Sequence, residues 1–283
     1  MIRALSVVGH GTNILPHFLT HYSEYIDEIQ LVVYESDIDK NLFEDVSNIV
    51  SKFPKAKIVK KIYNRVFDWE KVTGLYNFIK NSQPNDWWVI ADVDEFHLYP
   101  DDDLKQLIRD CDENGWDIVR GGFIDRIGVD GEFSELKNNE DIFKQFPNAG
   151  FFRYPLSKAC PNKICVMKGY VELTFGQHYA KIGGHTTWRW QGWNHPLINP
   201  NSFVQVHHFK WDSTSIERIK AVADNNQTYS YSDEYRLMYD KLRKSKFKIN
   251  LNNPEFMFEQ NECQSEFRRY KQWNKLIKKI ISI

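Results

Sequence analysis

Trp87-Trp88-Val89-Ile90-Ala91-Asp92-Val93-Asp94-Glu95-Phe96 is the stretch that decides the fold. Its apolar residues run without alternation into three carboxylates, the pattern of a strand buried on both faces in the middle of a parallel sheet. Open α/β sheets bind ligands at the carboxyl ends of such strands. Asp92, Asp94 and Glu95 are therefore expected at the mouth of the sheet, where carboxylate oxygens can hold a hard cation and share it with a phosphate. A solvated acidic turn is the plainer reading, but three acids against a buried strand are costly to place without a partner.

Upstream, strands and helices alternate. Ala4–Val8 reads as a strand that turns at Gly9-His10-Gly11, and a helix follows from Asn13 to Tyr25. Leu31–Tyr34 is a second strand ending at Glu35, and Leu42, Val46, Ile49 and Val50 carry helical spacing. Lys57–Val59 and Trp69–Ile79 then give a third strand and a third helix. This βαβαβαβ order predicts an α/β fold of the Rossmann type, a mostly parallel central sheet flanked by helices. Gly9 and Gly11 permit close backbone approach to a ligand. Glu35, at the end of the second strand, is either a hydrogen-bond acceptor for a ligand or a solvated loop acid.

Downstream, Asp101, Asp102 and Asp103 suit the N-terminus of a helix over Leu104–Cys111. Trp116–Arg126 reads as a strand whose Gly121-Gly122 pair calls for a close neighbour. Residues 128 to about 160 read as a long loop, and Lys163 precedes an alternating segment, 164–168. Phe175–His178 closes a strand, and Trp188, Trp190 and Trp193 come next among polar residues, either as a ligand-binding wall with His178 or as a packed hairpin. In Phe203–Asp212 the alternation puts Val204, Val206 and His208 on one face and His207 on the other. Helices are expected over 213–222 and 233–246. Tyr270, Trp273, Leu276, Ile277 and Ile280 form an apolar stripe on a basic tail, which could lie on an anionic membrane surface or dock on protein.

A net charge of −1 over 283 residues gives no global reason to expect a nucleic-acid partner. Hydrophobic residues at 42% and charged residues at 27% are ordinary for a soluble globular chain. The aromatic fraction of 15% suits sugar-stacking surfaces as well as core. Cys111, Cys160, Cys165 and Cys263 form no CxxC pair, and a zinc site from Cys160, Cys165, His178 and His185 is the weaker reading. With no signal-like or membrane-spanning stretch, a reducing cytoplasmic setting is expected, with peripheral membrane contact through the basic tail as an option.

Asp92-Val93-Asp94 resembles the DxD motif of GT-A-fold nucleotide-sugar glycosyltransferases, and Ile90–Phe96 resembles the longer DxDEF form of family 2 and family 92-like enzymes. Asp125-Arg126 with Gly128-Val129-Asp130-Gly131 resembles an IDR…DG stretch of family 2-like transferases. His208-Phe209-Lys210-Trp211 resembles the segment whose histidine adds a metal ligand. The resemblance covers roughly residues 3 to 212, with its specific motifs between Asp92 and Asp212. It implies a GT-A-like domain over 1–212, with a nucleotide-sugar half (1–100) and an acceptor half (101–212), and a C-terminal helical extension over 213–283.

The same resemblance implies a metal-dependent transferase moving a sugar from a UDP- or GDP-sugar to a glycan, lipid-linked or other hydroxyl acceptor, in cell-surface or extracellular glycan synthesis. Mn²⁺ or Mg²⁺ would be held by Asp92, Asp94 and His208. The nucleotide would meet Gly9, His10, Glu35, Asp92, Val93 and Asp94, and the acceptor would meet Trp188, Trp190, Trp193 and His178. Family members often carry an ED pair as the base. None stands cleanly here, which leaves Asp125, Glu172 and Asp212 as candidates and leaves inversion or retention open. The alternatives are a haloacid-dehalogenase-like phosphatase, whose DxD follows a buried strand but stands near the start of the chain, and a non-catalytic carbohydrate-binding protein.

Overall fold

The computed structural model describes residues 1–152, 157, 160, 162–182, 185–186, 195–225, 231–252 and 258–260. In chain order the first half carries β1 (Ile2–Val8), α1 (Leu15–Ser23), β2 (Glu28–Glu35), α2 (Leu42–Val50), β3 (Ala56–Tyr63), α3 (Trp69–Asn81), β4 (Trp87–Ile90), β5 (Glu95–Leu98), α4 (Leu104–Asn114) and β6 (Ile118–Ile127). The second half carries α5 (Ile142–Gln145), β7 (Asn148–Phe152), β8 (Asn162–Lys168), β9 (Glu172–Leu173), β10 (Ala180–Ile182), β11 (His185–Thr186), β12 (Val204–His208), α6 (Ser215–Asp224), α7 (Ser232–Lys244) and β13 (Phe258–Gln260). The described residues fall into two compact units, one over Met1–Phe123 and Pro161–Val206, the other over Ile124–Cys160 and His207–Phe267.

The first unit is the expected α/β core. β1, β2, β3 and β4 are parallel in the order β3-β2-β1-β4, joined through α1, α2 and α3. β4 is buried along its whole length, as its unbroken apolar run requires, because β1 and the antiparallel β8 flank it on either side. β3, at the edge, is mostly exposed and carries Lys57, Lys60 and Lys61, charges that discourage pairing with another chain. Leu5, Val7, Trp88, Ile90, Ile164 and Met167 form the centre of the core. Residues 118–122 of β6 pair with β8, and a Cβ on Gly121 would fall 2.5 Å from both Val204 O and Cys165 Sγ. The glycine pair thus marks a close neighbour, as its composition suggested. Asp103 caps α4 by accepting from Gln106 N at 2.8 Å.

In the second unit, residues 125–127 of β6 pair antiparallel with β7, whose other edge takes β13. Ile219 of α6 and Met238 and Leu242 of α7 pack with Ile127, Phe152, Trp211 and Ile249. The stretch after residue 128, expected as a loop, therefore contributes α5 and β7, while α6 and α7 belong with it rather than to a separate extension. The organiser is Arg126. Its guanidinium is buried, donates to the carbonyls of Phe143 (3.1 Å) and Phe146 (2.9 Å), and stacks on Phe143 and Phe209. Four- and five-residue elements have too few positions to show a period, so local pattern did not reveal them. Among the described residues no helix is long and apolar enough to cross a membrane. The basic tail expected to form an amphipathic helix lies outside the described residues.

Candidate functional site

β1 lies between β2 and β4, so the strand order reverses at β1 and β4, the place where open α/β sheets take ligands at the carboxyl ends of their strands. The turn after β1 is shaped by its glycines. A Cβ on Gly9 would lie 2.8 Å from the Phe67 ring. Gly11 takes φ +71°, a left-handed conformation cheap for glycine, and its carbonyl accepts from Ile14 N and Leu15 N to open α1. A Cβ there would be 3.4 Å from Val93 Cγ2, so the Gly9-His10-Gly11 turn touches the Asp92-Val93-Asp94 turn.

After β4 the chain makes a turn that buries Val93 and leaves Asp92 and Asp94 half-buried. Asp92 Oδ1 accepts from Tyr76 Oη at 3.2 Å, and Tyr76 Oη itself accepts from Val7 N at 3.1 Å, tying α3, β1 and the turn together. Burial and the neighbouring Asp92 hold the Tyr76 phenol well above its ordinary pKa. Glu95 is not part of the open turn: it begins β5 and is 1% exposed. Its Oε2 accepts from Asp92 N at 3.2 Å, and its Oε1 lies 2.8 Å from Lys163 Nζ. Lys163, 3% exposed at the start of β8, also donates to Gln177 Oε1 (2.7 Å), lies 3.4 Å from Asp92 Oδ2 and stands over the Phe123 ring. Burial alone would lower the pKa of this ammonium, but the Asp92 and Glu95 carboxylates outweigh it and hold the value above the ordinary lysine value.

Among the described residues no three metal-ligating side chains converge. The divalent ion expected from the sequence would have at most Asp92 and Asp94 of this turn as its ligands among the described residues, with water and phosphate oxygens to complete the shell. Hard ions such as Mg²⁺ are commonly held in that way. His208, expected as a third ligand, belongs to the second unit. There its Nδ1 lies 2.9 Å from Asp125 Oδ1, which also accepts from Trp211 Nε1 at 3.0 Å, while Asp125 Oδ2 accepts from Phe152 N at 3.1 Å. Both Asp125 oxygens are committed, so the acid expected as a base acts as the support that orients the His208 ring. An imidazole held by a carboxylate in this manner is the usual arrangement for ligation or proton acceptance at the other nitrogen.

The remaining expected residues have partners of their own. Asp212 Oδ1 accepts from Thr214 N (3.0 Å), Thr214 Oγ1 (2.7 Å) and Ser215 N (3.2 Å), which makes it the acid that opens α6. Glu172 is exposed in the small β11-β10-β9 sheet, in register with Lys181. Glu35 accepts from Phe43 N (3.1 Å) in the first turn of α2 and pairs with Lys61 (3.2 Å). His178 Nδ1 lies 2.8 Å from Asn162 O, and a Cβ on Gly176 would fall 2.6 Å from its Nε2, so the ring packs on the glycine as an inner brace. Trp188, Trp190 and Trp193 lie outside the described residues. Sequence reasoning missed Tyr76, Lys163 and Gln177. The one local signal was a lysine leading a buried strand, where a charge without a partner would be costly.

Burial pushes the imidazole of His178 down to about 3 and that of His21, whose Nε2 lies 2.9 Å from His97 O, down to about 4. Both stay neutral in the fold, whereas the unfolded chain protonates near 6.5. Below pH 6.5 the unfolded state binds more protons, so stability is expected to fall on acidification through the window from about 6.5 to 4, each ring contributing roughly 1.4 kcal/mol per pH unit. Urea titrations at pH 7.5, 6 and 5 check this. A midpoint that does not fall across that range would contradict neutral burial of the two rings.

No family model matches the chain, and no curated protein matches it. Among solved structures, a 4-diphosphocytidyl-2C-methyl-D-erythritol synthase is 12% identical with a TM-score of 0.33, over 60% of this chain and 75% of that one. A Bacillus anthracis protein described as a glucose-1-phosphate thymidylyltransferase, solved with sucrose, is 11% identical with a TM-score of 0.30, over 50% of this chain and 63% of that one. Neither likeness is close enough to assign a function.

Proposed function

We propose that the chain is a glycosyltransferase that takes its sugar from a nucleotide-sugar donor, with the nucleotide diphosphate bound at the Asp92-Val93-Asp94 turn and a hydroxyl group of a glycan or lipid-linked molecule as acceptor. The observation that carries this reading is the contact between the Gly11 and Val93 turns at the reversal point of the sheet. That contact puts a close-approach glycine turn beside two half-buried carboxylates, where α/β folds take nucleotides. Asp92 and Asp94 would hold Mn²⁺ or Mg²⁺, which when bound supplies Lewis-acid stabilisation to the departing diphosphate. The protein's own part is positional. Tyr76 and Lys163 fix Asp92, and Glu95 fixes the backbone of the turn through Asp92 N. Glu35 lends itself less to the ribose or base, since Phe43 N and Lys61 already engage its oxygens.

A thermal-shift panel of UDP, GDP, CDP and their sugars, each with Mn²⁺, Mg²⁺ or EDTA, tests this. A ligand that binds only the folded state stabilises it by about 2.7 kcal/mol at a hundredfold excess over Kd. The expected result is a metal-dependent rise in melting temperature with one nucleotide class. No rise with any nucleotide, with or without metal, would overturn the transferase reading.

A further inference from the structure

We infer that Lys163 is a positioning residue that keeps the Asp92-Val93-Asp94 turn from holding a divalent cation by itself, so that the ion is taken up together with the nucleotide diphosphate. The inference rests on the reading of this turn as a metal–diphosphate site. Its ground is the placement of one buried ammonium 2.8 Å from Glu95 Oε1 and 3.4 Å from Asp92 Oδ2. Glu95 is thereby spent inside the protein, and Asp92 meets an approaching cation with a positive charge already at one of its oxygens. The other Asp92 oxygen is the one that accepts from Tyr76. Like charges a few ångströms apart in a half-buried site repel strongly. A diphosphate, with its own negative charge and oxygen ligands, restores what the ammonium removes.

The surroundings of Lys163 hold it there at a cost that packing alone does not require. Gln177, which accepts from Nζ at 2.7 Å, is 1% exposed and has a left-handed backbone at φ +55°. Its amide nitrogen, on the same group, is buried with no hydrogen-bond partner among the described residues. Gly176 beside it also has positive φ, with no room for a Cβ against His178. Strained backbone and an unsatisfied buried donor cluster where function over-determines a conformation. Here both are spent on directing one carbonyl oxygen at Lys163.

The test is Mn²⁺ binding by electron paramagnetic resonance on the full chain, with and without the nucleotide picked out by the thermal-shift panel. Wild-type protein is expected to bind Mn²⁺ weakly alone and at least tenfold more tightly with the nucleoside diphosphate. Lys163→Met is expected to bind Mn²⁺ at least tenfold more tightly than wild type without nucleotide, and to lose most of the coupling, which linkage makes reciprocal between ion and nucleotide. Lys163→Arg, which keeps the charge, should stay within threefold of wild type. Lys163→Met/Glu95→Gln removes the buried pair as a unit and serves if the single variant does not fold; its nucleotide-free Mn²⁺ affinity should rise at least threefold. A purely structural lysine would leave affinity unchanged or weaken it when removed, and either result in a folded variant overturns the inference while sparing the metal–diphosphate site. Absence of Mn²⁺ binding in every variant with any nucleotide overturns both.

Discussion

Asp94→Asn is expected to reduce sugar transfer by about 10²–10³-fold, or roughly 3–4 kcal/mol of transition-state stabilisation, the scale on which losing one electrostatic contact to a leaving or developing anion is felt. The substitution is nearly isosteric and falls in a turn whose backbone is braced by Asp92 N to Glu95 Oε2 at 3.2 Å and by Glu95 N to Asp92 O at 2.9 Å. Shape is therefore kept and charge is lost. The metal-dependent shift with nucleotide should disappear. Asp92→Asn should cost both activity and stability, because Asp92 also accepts from Tyr76 and faces the buried Lys163 ammonium. Nucleotide release from the donor, measured in a coupled assay, separates the two variants. If Asp94→Asn keeps more than a tenth of wild-type turnover, a metal-bridged diphosphate is the wrong description of this site.

The parts of the site legible in the sequence are those made by neighbours along the chain. The run Trp87–Ile90 is buried on both faces, and a strand of that kind must deliver the residues after it to the edge of the sheet, so Asp92 and Asp94 are legible from pattern alone. Gly9 and Gly11 are legible for the same reason, since a glycine pair ending a strand marks a turn that side chains would obstruct. The hidden parts depend on partners far away in sequence. Glu95 looks like a third member of an acidic cluster until Lys163, 68 positions later by their numbering, takes it into the interior. Asp125 looks like a base at the end of a strand until His208, Trp211 and Phe152 occupy both its oxygens. Asp212 reads as a candidate base until the Thr214 and Ser215 amides donate to it, a local interaction that the helix beginning at Ser215 could have suggested. Carboxylate roles are set by their hydrogen-bond donors, and those donors are fixed only once the chain has folded.

The largest stability effect expected in the first unit comes from separating Lys163 and Glu95. Lys163→Met takes the Lys163 ammonium away from Glu95, which is 1% exposed, and breaking a buried pair from one side costs about 3–5 kcal/mol. Glu95→Gln is expected to cost less, roughly 2 kcal/mol, because the ammonium keeps Asp92 at 3.4 Å and Gln177 at 2.7 Å. The double variant should lose less than the sum of the two, since it leaves neither charge buried alone, and a coupling of at least about 2 kcal/mol is expected from a double-mutant cycle in urea. Additive single effects would mean that the two side chains do not act as a pair. The sign of the functional change then separates the roles of charge and fold. The buried pair stabilises the interior, yet the same ammonium opposes a cation at Asp92, so the double variant should be less stable than wild type and at the same time bind Mn²⁺ more tightly. A site shaped for stability alone would lose both together.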